Sequence, residues 1–112
     1  MNNKDDRYYL LNMLIFAGKI NELLANQTRH QFNENELLRV SITHWLQVIG
    51  EAARHVSDEF QSTHPEIPWR AMVGMRNRIV HDYLGIDDNM IWATATHRIP
   101  ELIAQLRQID NL

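Results

Sequence analysis

The sequence predicts an all-α fold, a small antiparallel bundle of three long helices and one short helix. Apolar residues recur at helical spacing in three long segments, and no segment alternates apolar and polar residues as a half-buried strand does. The chain has 112 residues, of which 45% are hydrophobic, and this suits one core. We therefore expect a single domain over residues 1–112, with short loops joining antiparallel neighbours.

The first predicted helix runs from about Asp5 to Asn26. Asp5 and Asp6 stand near its start, where the helix dipole favours negative charge. The following residues, 27–33, are interpreted as a polar connection in which Phe32 folds back onto the core. The candidate core positions of the helix are Tyr8, Leu11, Leu14, Ile15 and Leu23.

The second predicted helix has the clearest apolar pattern in the chain. Asn33 or Asn35 is a candidate cap for its start. Gly50 lies in mid-helix, where glycine costs about 1 kcal/mol relative to alanine, so we expect another helix to approach closely there. Val48 and Leu46 widen the apolar stripe, as is typical of a helix packed on two sides or at a dimer interface. The stripe itself, at intervals of three and four, is Leu38, Ile42, Trp45, Ile49, Ala52 and Val56.

A short helix is predicted after two prolines. Pro65 and Pro68 interrupt the helical pattern, and Pro68 suits the first turn of a helix from about Trp69 to Tyr83. Gly85 then ends this segment in a turn.

The last predicted helix covers about residues 89–110, with Asp87 or Asp88 as its cap. Pro100 lies inside it and predicts a kink or a local break, because proline cannot donate a backbone hydrogen bond. The apolar stripe of this helix is Ile91, Ala95, Ile99, Leu102, Leu106 and Ile109.

The composition argues against several classes of protein. The chain has no cysteine, which rules out a disulfide frame or a thiolate metal site and fits a reducing cytoplasm. We expect no export signal and no membrane span, since no apolar run approaches the ~20 residues a span needs. The formal charge of −3 argues against a protein that coats nucleic acid. Residues 67–81 nevertheless contain three arginines and no acidic residue, which is compatible with a small anionic target.

The short helix carries the groups needed to cleave a phosphodiester without a metal. The guanidinium of Arg76, helped by that of Arg78, binds phosphate and stabilises charge on the phosphorane. His81 takes a proton from a ribose 2′-OH or protonates the leaving 5′-oxygen, and Asn77 orients the imidazole or the phosphate. Because the nucleophile is the 2′-OH, the predicted substrate is RNA, and no cofactor is required. Tyr83 is a candidate to stack on a base, bind phosphate or accept a modification.

Helical geometry predicts that one chain does not complete this site. Arg76 and His81 are five residues apart, which separates them by roughly 140° around an α-helix. Either the helix unwinds near His81, or two chains assemble the site about a two-fold axis. We favour a homodimer, because the broad stripe of the second helix leaves apolar surface for a partner. In a purely structural interpretation, Arg78 pairs with Asp82 and His81 caps its helix.

Several segments of the chain resemble the HepT-like branch of the HEPN proteins. Residues 75–83, MRNRIVHDY, resemble its Arg-x4-His-x-Tyr motif. Residues 49–53 are similar to its second-helix signature, and residues 67–69 to the entry of its motif helix. Trp92 fits a position in its last helix, so the resemblance covers nearly the whole chain.

This resemblance implies a toxin of a bacterial or archaeal toxin–antitoxin pair, a metal-independent endoribonuclease whose homodimer shares one cleft. It implies a small MNT-type nucleotidyltransferase as the antitoxin, which transfers AMP to the motif tyrosine. Arg76 and His81 then form the catalytic pair, Asn77 supports them and Tyr83 accepts AMP. The added phosphate and purine would occupy the RNA site. Glu51, beside Gly50 in the signature, is a candidate to hold Arg76.

A non-enzymatic binding module is the alternative hypothesis, motivated by the acidic net charge. In it the dimer binds nucleotide or scaffolds the nucleotidyltransferase, and the Arg/His cluster holds an anion. Glu51 and His55 have the spacing to share a metal, but no third ligand has matching spacing, so an exposed hydrogen-bonded pair is the preferred interpretation.

Overall fold

The computed structural model describes residues 4–112, in which every regular element is helical and no strand is present, and the all-α expectation is confirmed. Buried apolar side chains form a hydrophobic core between the long helices. None of the helices over this range has the length and hydropathy that a membrane crossing requires. The elements are α1 (Lys4–Leu24), α2 (Arg29–Glu34), α3 (Glu36–His55), α4 (Asp58–Thr63), α5 (Trp69–His81), a 3-10 turn (Tyr83–Gly85), α6 (Asp88–Ala93), a π-helical segment (Thr94–Arg98) and α7 (Ile99–Arg107).

The central helix of the bundle is α3, which packs against α1 on one side and α5 on the other. Near the start of α1, Tyr9 stacks on His55 at the end of α3, so these two helices run antiparallel. Arg7 donates to the carbonyl of Asn111, beyond the end of α7, so α1 and α7 are antiparallel as well. The antiparallel arrangement expected for neighbouring helices is therefore present in the pair α1 and α3.

The apolar stripe predicted for α3 is buried as expected, with Trp45 half-buried at its edge. Asn35 is the cap, since its side-chain oxygen accepts from the amide of Leu38 at 3.0 Å. Asn33, the alternative cap, lies inside α2.

The core face predicted for α1 is wrong at three of its five positions, whereas Leu11 and Leu14 are half-buried and Leu14 packs against the core. Tyr8 is 64% exposed, and Ile15 and Leu23 are also exposed. The helix is apolar on more than one side, and two stripes with three- and four-residue spacing compete for the core. The buried stripe is Leu10, Met13, Ala17, Ile20 and Leu24.

Residues 27–33, predicted as a connection, contain the short helix α2. Thr28 and Gln31 form a capping box at its start: each side chain accepts from the backbone amide of the other residue. Phe32 is fully buried as predicted, with its ring 5.1 Å from that of Trp92.

The helix α4 was not predicted from the sequence. Ser57 caps it by accepting from the amide of Phe60. Asp6, which is only 3% exposed, accepts from the amide of Ser57 at 2.8 Å and from its hydroxyl at 2.7 Å. The first turn of α1 therefore holds the entry to α4 in place.

The break predicted at Pro100 is present as the π-helical segment. The amide of Ile99 donates to the carbonyl of Thr94, five residues back, instead of four. This wider turn precedes the proline, whose ring would crowd a regular turn and whose nitrogen has no hydrogen to donate. Asp87 caps α6 as predicted by accepting from Asn89, and α7 ends at Arg107 rather than near 110.

Candidate active site

The helix that carries the motif, α5, is anchored at its start and along one face. The indole of Trp69 donates to the carbonyl of His64 at 2.9 Å, and Pro68 lies just before the first turn. Met72, Met75 and Ile79 are buried on the side that packs on α3. The helix is regular from Trp69 through His81, so it does not unwind before the histidine.

Gly50 of α3 lies in direct contact with the backbone of α5. A Cβ added there would lie 2.4 Å from Cβ of Arg76 and 2.5 Å from the carbonyl oxygen of Met72. The close approach predicted from this mid-helix glycine is confirmed, and it fixes the position of Arg76 along α3.

Arg76 lies at the edge of this contact, with its side chain 22% exposed. Its Nε is 2.8 Å from Oε2 of Glu51, but the N–H does not point at that oxygen, so the contact is an ion pair without a well-formed hydrogen bond. Its Nη1 donates to Oδ1 of Asn77 at 2.9 Å. Glu51 thus contacts Arg76 as expected, while its functional role stays a prediction.

A network of side chains on α3 and α1 surrounds Glu51. Its Oε1 accepts from Nη2 of Arg54 at 2.9 Å and lies 3.1 Å from Nε2 of His55. The hydrogen bond from Arg54 is the main reason why the pKa of Glu51 is lowered, and His55 and Arg76 add to it against a partial opposing effect of burial. The Tyr9 ring stacks on His55 with centroids 5.0 Å apart. Arg54 and Tyr9 were not predicted as site residues, although the spacing of 51, 54 and 55 places those three residues on one face of α3.

His81 lies on a different face of α5 from Arg76. His81 belongs to the face of α5 that lies opposite the buried stripe. Residues at intervals of four, three and four share this face: Arg70, Gly74, Asn77 and His81. Asn77 and His81 are exposed, and nothing lies within 4 Å of a Cβ placed on Gly74. The structure therefore brings Arg76 and Glu51 together on one side and leaves His81 on another, with Asn77 between them: it accepts from Arg76 and shares the exposed face of His81.

A backbone hydrogen bond caps the C-terminal end of the motif helix. The amide of Asp82 donates to the carbonyl of Arg78 at 2.9 Å, but their side chains form no ion pair within residues 4–112. The ring of His81 likewise makes no hydrogen bond to a described helix carbonyl, so the purely structural interpretation is not what is observed. Tyr83 begins the 3-10 turn and is 61% exposed.

Two depressions flank α5, and His81 lines neither. The first, of about 470 Å³, lies between α1 and α3 and has Arg76 at its edge. The second, broader and about 1060 Å³, runs along Arg70, Gly74 and Asn77 to the loop before α5. Within residues 4–112, no three acidic or histidine side chains are grouped to hold a metal.

Known proteins resemble this chain over most of its length. A family model described as "Ribonuclease HepT-like" matches residues 13–109, which include the whole motif. The chain is 30% identical over 102 residues to "Putative RNase MJ1380" of Methanocaldococcus jannaschii, covering 91% of this chain and 94% of that protein. It is 31% identical over 106 residues to "Putative RNase TTE0752" of Caldanaerobacter subterraneus, covering 95% of each. It is 39% identical over 64 residues to "Probable ribonuclease HepT" of Thermococcus cleftensis, covering 57% of this chain and 58% of that protein. No solved structure was found to match.

Proposed function

Because the chain belongs to the HepT-like ribonuclease family, we propose that it is an endoribonuclease toxin of a toxin–antitoxin pair. We propose that it acts in the cytoplasm on RNA, without a metal or cofactor. The observation that carries this proposal is the placement of Arg76, held by Glu51 and Asn77, on the same helix as an exposed His81.

The contacts of Arg76 leave part of its guanidinium for a substrate. Nε faces Glu51 and Nη1 donates to Asn77, whereas no described side chain bonds to Nη2. Arg54 shares the carboxylate of Glu51, which reduces the neutralisation of Arg76. Arg76 therefore binds the scissile phosphate and stabilises the charge that builds on its oxygens.

The proton steps belong to His81. One imidazole takes the proton of the ribose 2′-OH, whose oxygen attacks phosphorus. The bond from phosphorus to the 5′-oxygen breaks, and that oxygen receives a proton from the same imidazole, which the first step has converted to an imidazolium. The products are a 2′,3′-cyclic phosphate and a 5′-hydroxyl end. General acid and base groups of this kind each contribute about 10²- to 10⁴-fold in rate.

A second copy of the chain completes the site in this proposal. Since α5 is regular, Arg76 and His81 of one chain point about 140° apart. The surface between them carries Val73, Asn77 and Val80, of which Val80 is a 40% exposed apolar residue. A partner seated on this surface about a two-fold axis can bring its own His81 to the side of Arg76.

Tyr83 is the proposed acceptor of AMP. Its phenol is exposed, and it forms no hydrogen bond to a described residue. In the transfer, the phenol oxygen attacks the α-phosphorus of ATP, the bond to pyrophosphate breaks and the phenol proton leaves. The adenylyl group would then lie two residues beyond His81 and repel an RNA backbone. The donor enzyme is the cognate MNT-type nucleotidyltransferase.

The test compares RNA cleavage by the purified protein and by His81→Ala. We expect cleavage to fall at least about 100-fold, because the proton-transfer group is lost, while helicity and molecular mass stay unchanged. His97→Ala, which removes an exposed histidine of the π-helical segment, is the matched control and should cleave normally. Full cleavage by folded His81→Ala would exclude the catalytic assignment. No cleavage by the unmodified protein, together with tight binding of the nucleotidyltransferase, would favour the non-enzymatic alternative.

A second arm tests the modification by intact mass. Incubation with the nucleotidyltransferase and ATP should add one or more AMP units to the protein and none to Tyr83→Phe. Tyr8→Phe removes a similarly exposed phenol and should still be modified. Modification of Tyr83→Phe at the normal level would reject Tyr83 as the acceptor.

A further inference from the structure

The cleft between α1 and α3 has the size and lining of a nucleotide site. Its volume of about 470 Å³ falls within the ~300–1,000 Å³ usual for small-molecule pockets. Arg76 of α5 stands at its edge. The residues from the other two helices that line it include Tyr8, Tyr9, Asn12, Gln47 and His55.

Aromatic rings form one wall of this cleft. Tyr9 is stacked on His55, and the ring of Tyr8 meets that of Tyr9 edge to face at 5.1 Å. Tyr8 is nevertheless 64% exposed, so an aromatic surface remains open beside the site of Arg76. Exposed aromatic rings of this kind are the surfaces on which unpaired RNA bases stack.

Unused polar groups stand beside the rings. The amide nitrogen of Asn12 donates to the carbonyl of Tyr8 at 3.0 Å, which leaves its Oδ1 free to accept. The amide of Gln47 has no hydrogen bond to the part of the chain that the structure describes, so it offers both a donor and an acceptor. Side-chain donors and acceptors that line the same cleft as a stacking ring can bond to the edge of a base.

The charge of the cleft favours a phosphate at one end. Arg54 and Arg76 share the carboxylate of Glu51, so the group of three carries one net positive charge. Of the two arginines, Arg76 lines the cleft at its α5 edge, near the bond to be cut under the proposed function.

We propose that this cleft binds the RNA nucleotide next to the scissile phosphate, with the phosphate on Arg76 and the base stacked on Tyr8. Asn12 and Gln47 then contact the edge of the base and give the enzyme a preference at that position. This inference rests on the proposed function for the identity of its ligand.

The test measures binding of fluorescein-labelled RNA oligonucleotides to His81→Ala protein by anisotropy. His81 does not line the cleft, so this background prevents cleavage without altering it. We expect Tyr8→Ala to weaken binding about 5- to 100-fold, the range for loss of one stacked base. Tyr8→Phe keeps the ring and should bind normally. Ile15→Ala removes another exposed apolar side chain of α1, outside the cleft, and is the matched control.

Binding of four homopolymer RNAs measures the preference for one base. Gln47→Ala should bind the four RNAs with more similar affinities than the protein that keeps Gln47. Unchanged binding by Tyr8→Ala, or an equal loss in Ile15→Ala, would overturn the proposal. Free 5′-AMP that binds as tightly as the oligonucleotides, and depends on Tyr8, would also overturn it in favour of a mononucleotide ligand.

Cleavage assays separate this inference from the proposed function. If the protein with His81 cleaves RNA and Tyr8→Ala leaves kcat/KM unchanged, the cleft assignment fails and the function stands. If that protein cleaves nothing but binds RNA through Tyr8, the cleft assignment stands and the catalytic function fails.

Discussion

Arg76 depends on its neighbours for its orientation. Glu51 holds Nε, Asn77 holds Nη1, and the carboxylate of Glu51 is itself fixed by Arg54 and His55. An arginine on an exposed helix face would otherwise sample many rotamers, and holding it removes that entropy cost before RNA binds. Glu51 is thus a positioning residue in the proposed reaction.

Glu51→Gln tests this role because it removes the charge and keeps the shape. We expect kcat to fall about 10- to 100-fold with a smaller change in KM, since a misplaced Arg76 stabilises the transition state less well. Single-turnover cleavage measures the effect. Glu66→Gln is the control, because Glu66 also pairs with a histidine, at 3.1 Å from His64, but lies away from Arg76. An equal fall in kcat in Glu51→Gln and Glu66→Gln would contradict a positioning role for Glu51.

The effect of Glu51→Gln on the free energy of unfolding should depend on pH. The pKa of Glu51 is lowered from 4.5 in the fold, chiefly by Arg54, so its carboxylate contributes stability above pH 4.5 that is lost as the pH falls through the lowered pKa. Urea unfolding should show Glu51→Gln as less stable at pH 7, by about 1 kcal/mol or less because the group is partly exposed, and a smaller difference as the pH falls below 4.5.

At the scale of the elements, the contact between α3 and α5 decides where the motif lies. It depends on a glycine, since any side chain at position 50 would overlap Arg76 and the backbone of Met72. The other glycine of this helix pair, Gly74 on α5, faces open space. The two positions therefore respond in opposite ways to the same added methyl group.

Gly50→Ala should destabilise the protein by about 1–3 kcal/mol or more, because α5 must move away from α3. Gly74→Ala should stabilise the single chain by about 0.5–1 kcal/mol, because alanine favours a helix and meets no neighbour. Chemical denaturation of both variants measures the difference. A Gly50→Ala protein as stable as the parent would contradict the close approach.

The elements also show what the sequence could predict. The pattern of α3, the role of Gly50 and the break before Pro100 follow from local spacing and backbone chemistry, and each was predicted. The core face of α1 was predicted only in part, because two apolar stripes have helical spacing and packing on α3 and α7 selects between them. Helix α4 was missed although Ser57, Asp58 and Glu59 form a local start signal, because a helix of six residues shows almost no apolar periodicity and its start is also held by Asp6, 51 residues away from Ser57.

The candidate site was likewise predictable from the sequence only in part. The chemistry of the motif could be predicted because its residues lie within six positions of the sequence: Arg76, Asn77 and His81. The contact of Arg76 with Glu51 was predicted from the family resemblance around Gly50, but the cleft beside Tyr8 was not predicted. That cleft needs α1 to lie against α3, and a contact between two separate helices leaves no mark in the local spacing of either one.

At the scale of the whole molecule, the net charge of −3 is carried by a body whose motif segment is basic. A site completed by two copies would concentrate two sets of these arginines in one place. This would reconcile an acidic protein with a polyanionic substrate, because the local field rather than the net charge meets the RNA.

Mixing two inactive variants tests the composite site. Arg76→Ala and His81→Ala are each expected to be inactive, but after subunit exchange a mixed dimer has one site with both residues intact. Recovery of about a quarter of the parental cleavage is expected if half of the dimers are mixed and each has one working site of two. Cleavage after exchange, with native mass spectrometry to count mixed dimers, measures this.

A mixture of Arg76→Ala with the double variant Arg76→Ala/His81→Ala is the control and should stay inactive. Mixed dimers without recovered cleavage would show that each chain builds its own site.

The buried contact between Asp6 and Ser57 ties together two parts of the chain that would otherwise fray independently. Since the amide of Ser57 is held by the first turn of α1, opening of that turn also frees the start of α4. We therefore expect the N-terminal turn and the segment leading into α5 to unfold locally as one cooperative unit, which amide hydrogen exchange would show as matched rates. A cut or a bulky fusion near the beginning of the chain would loosen the approach to the motif helix some 60 residues downstream.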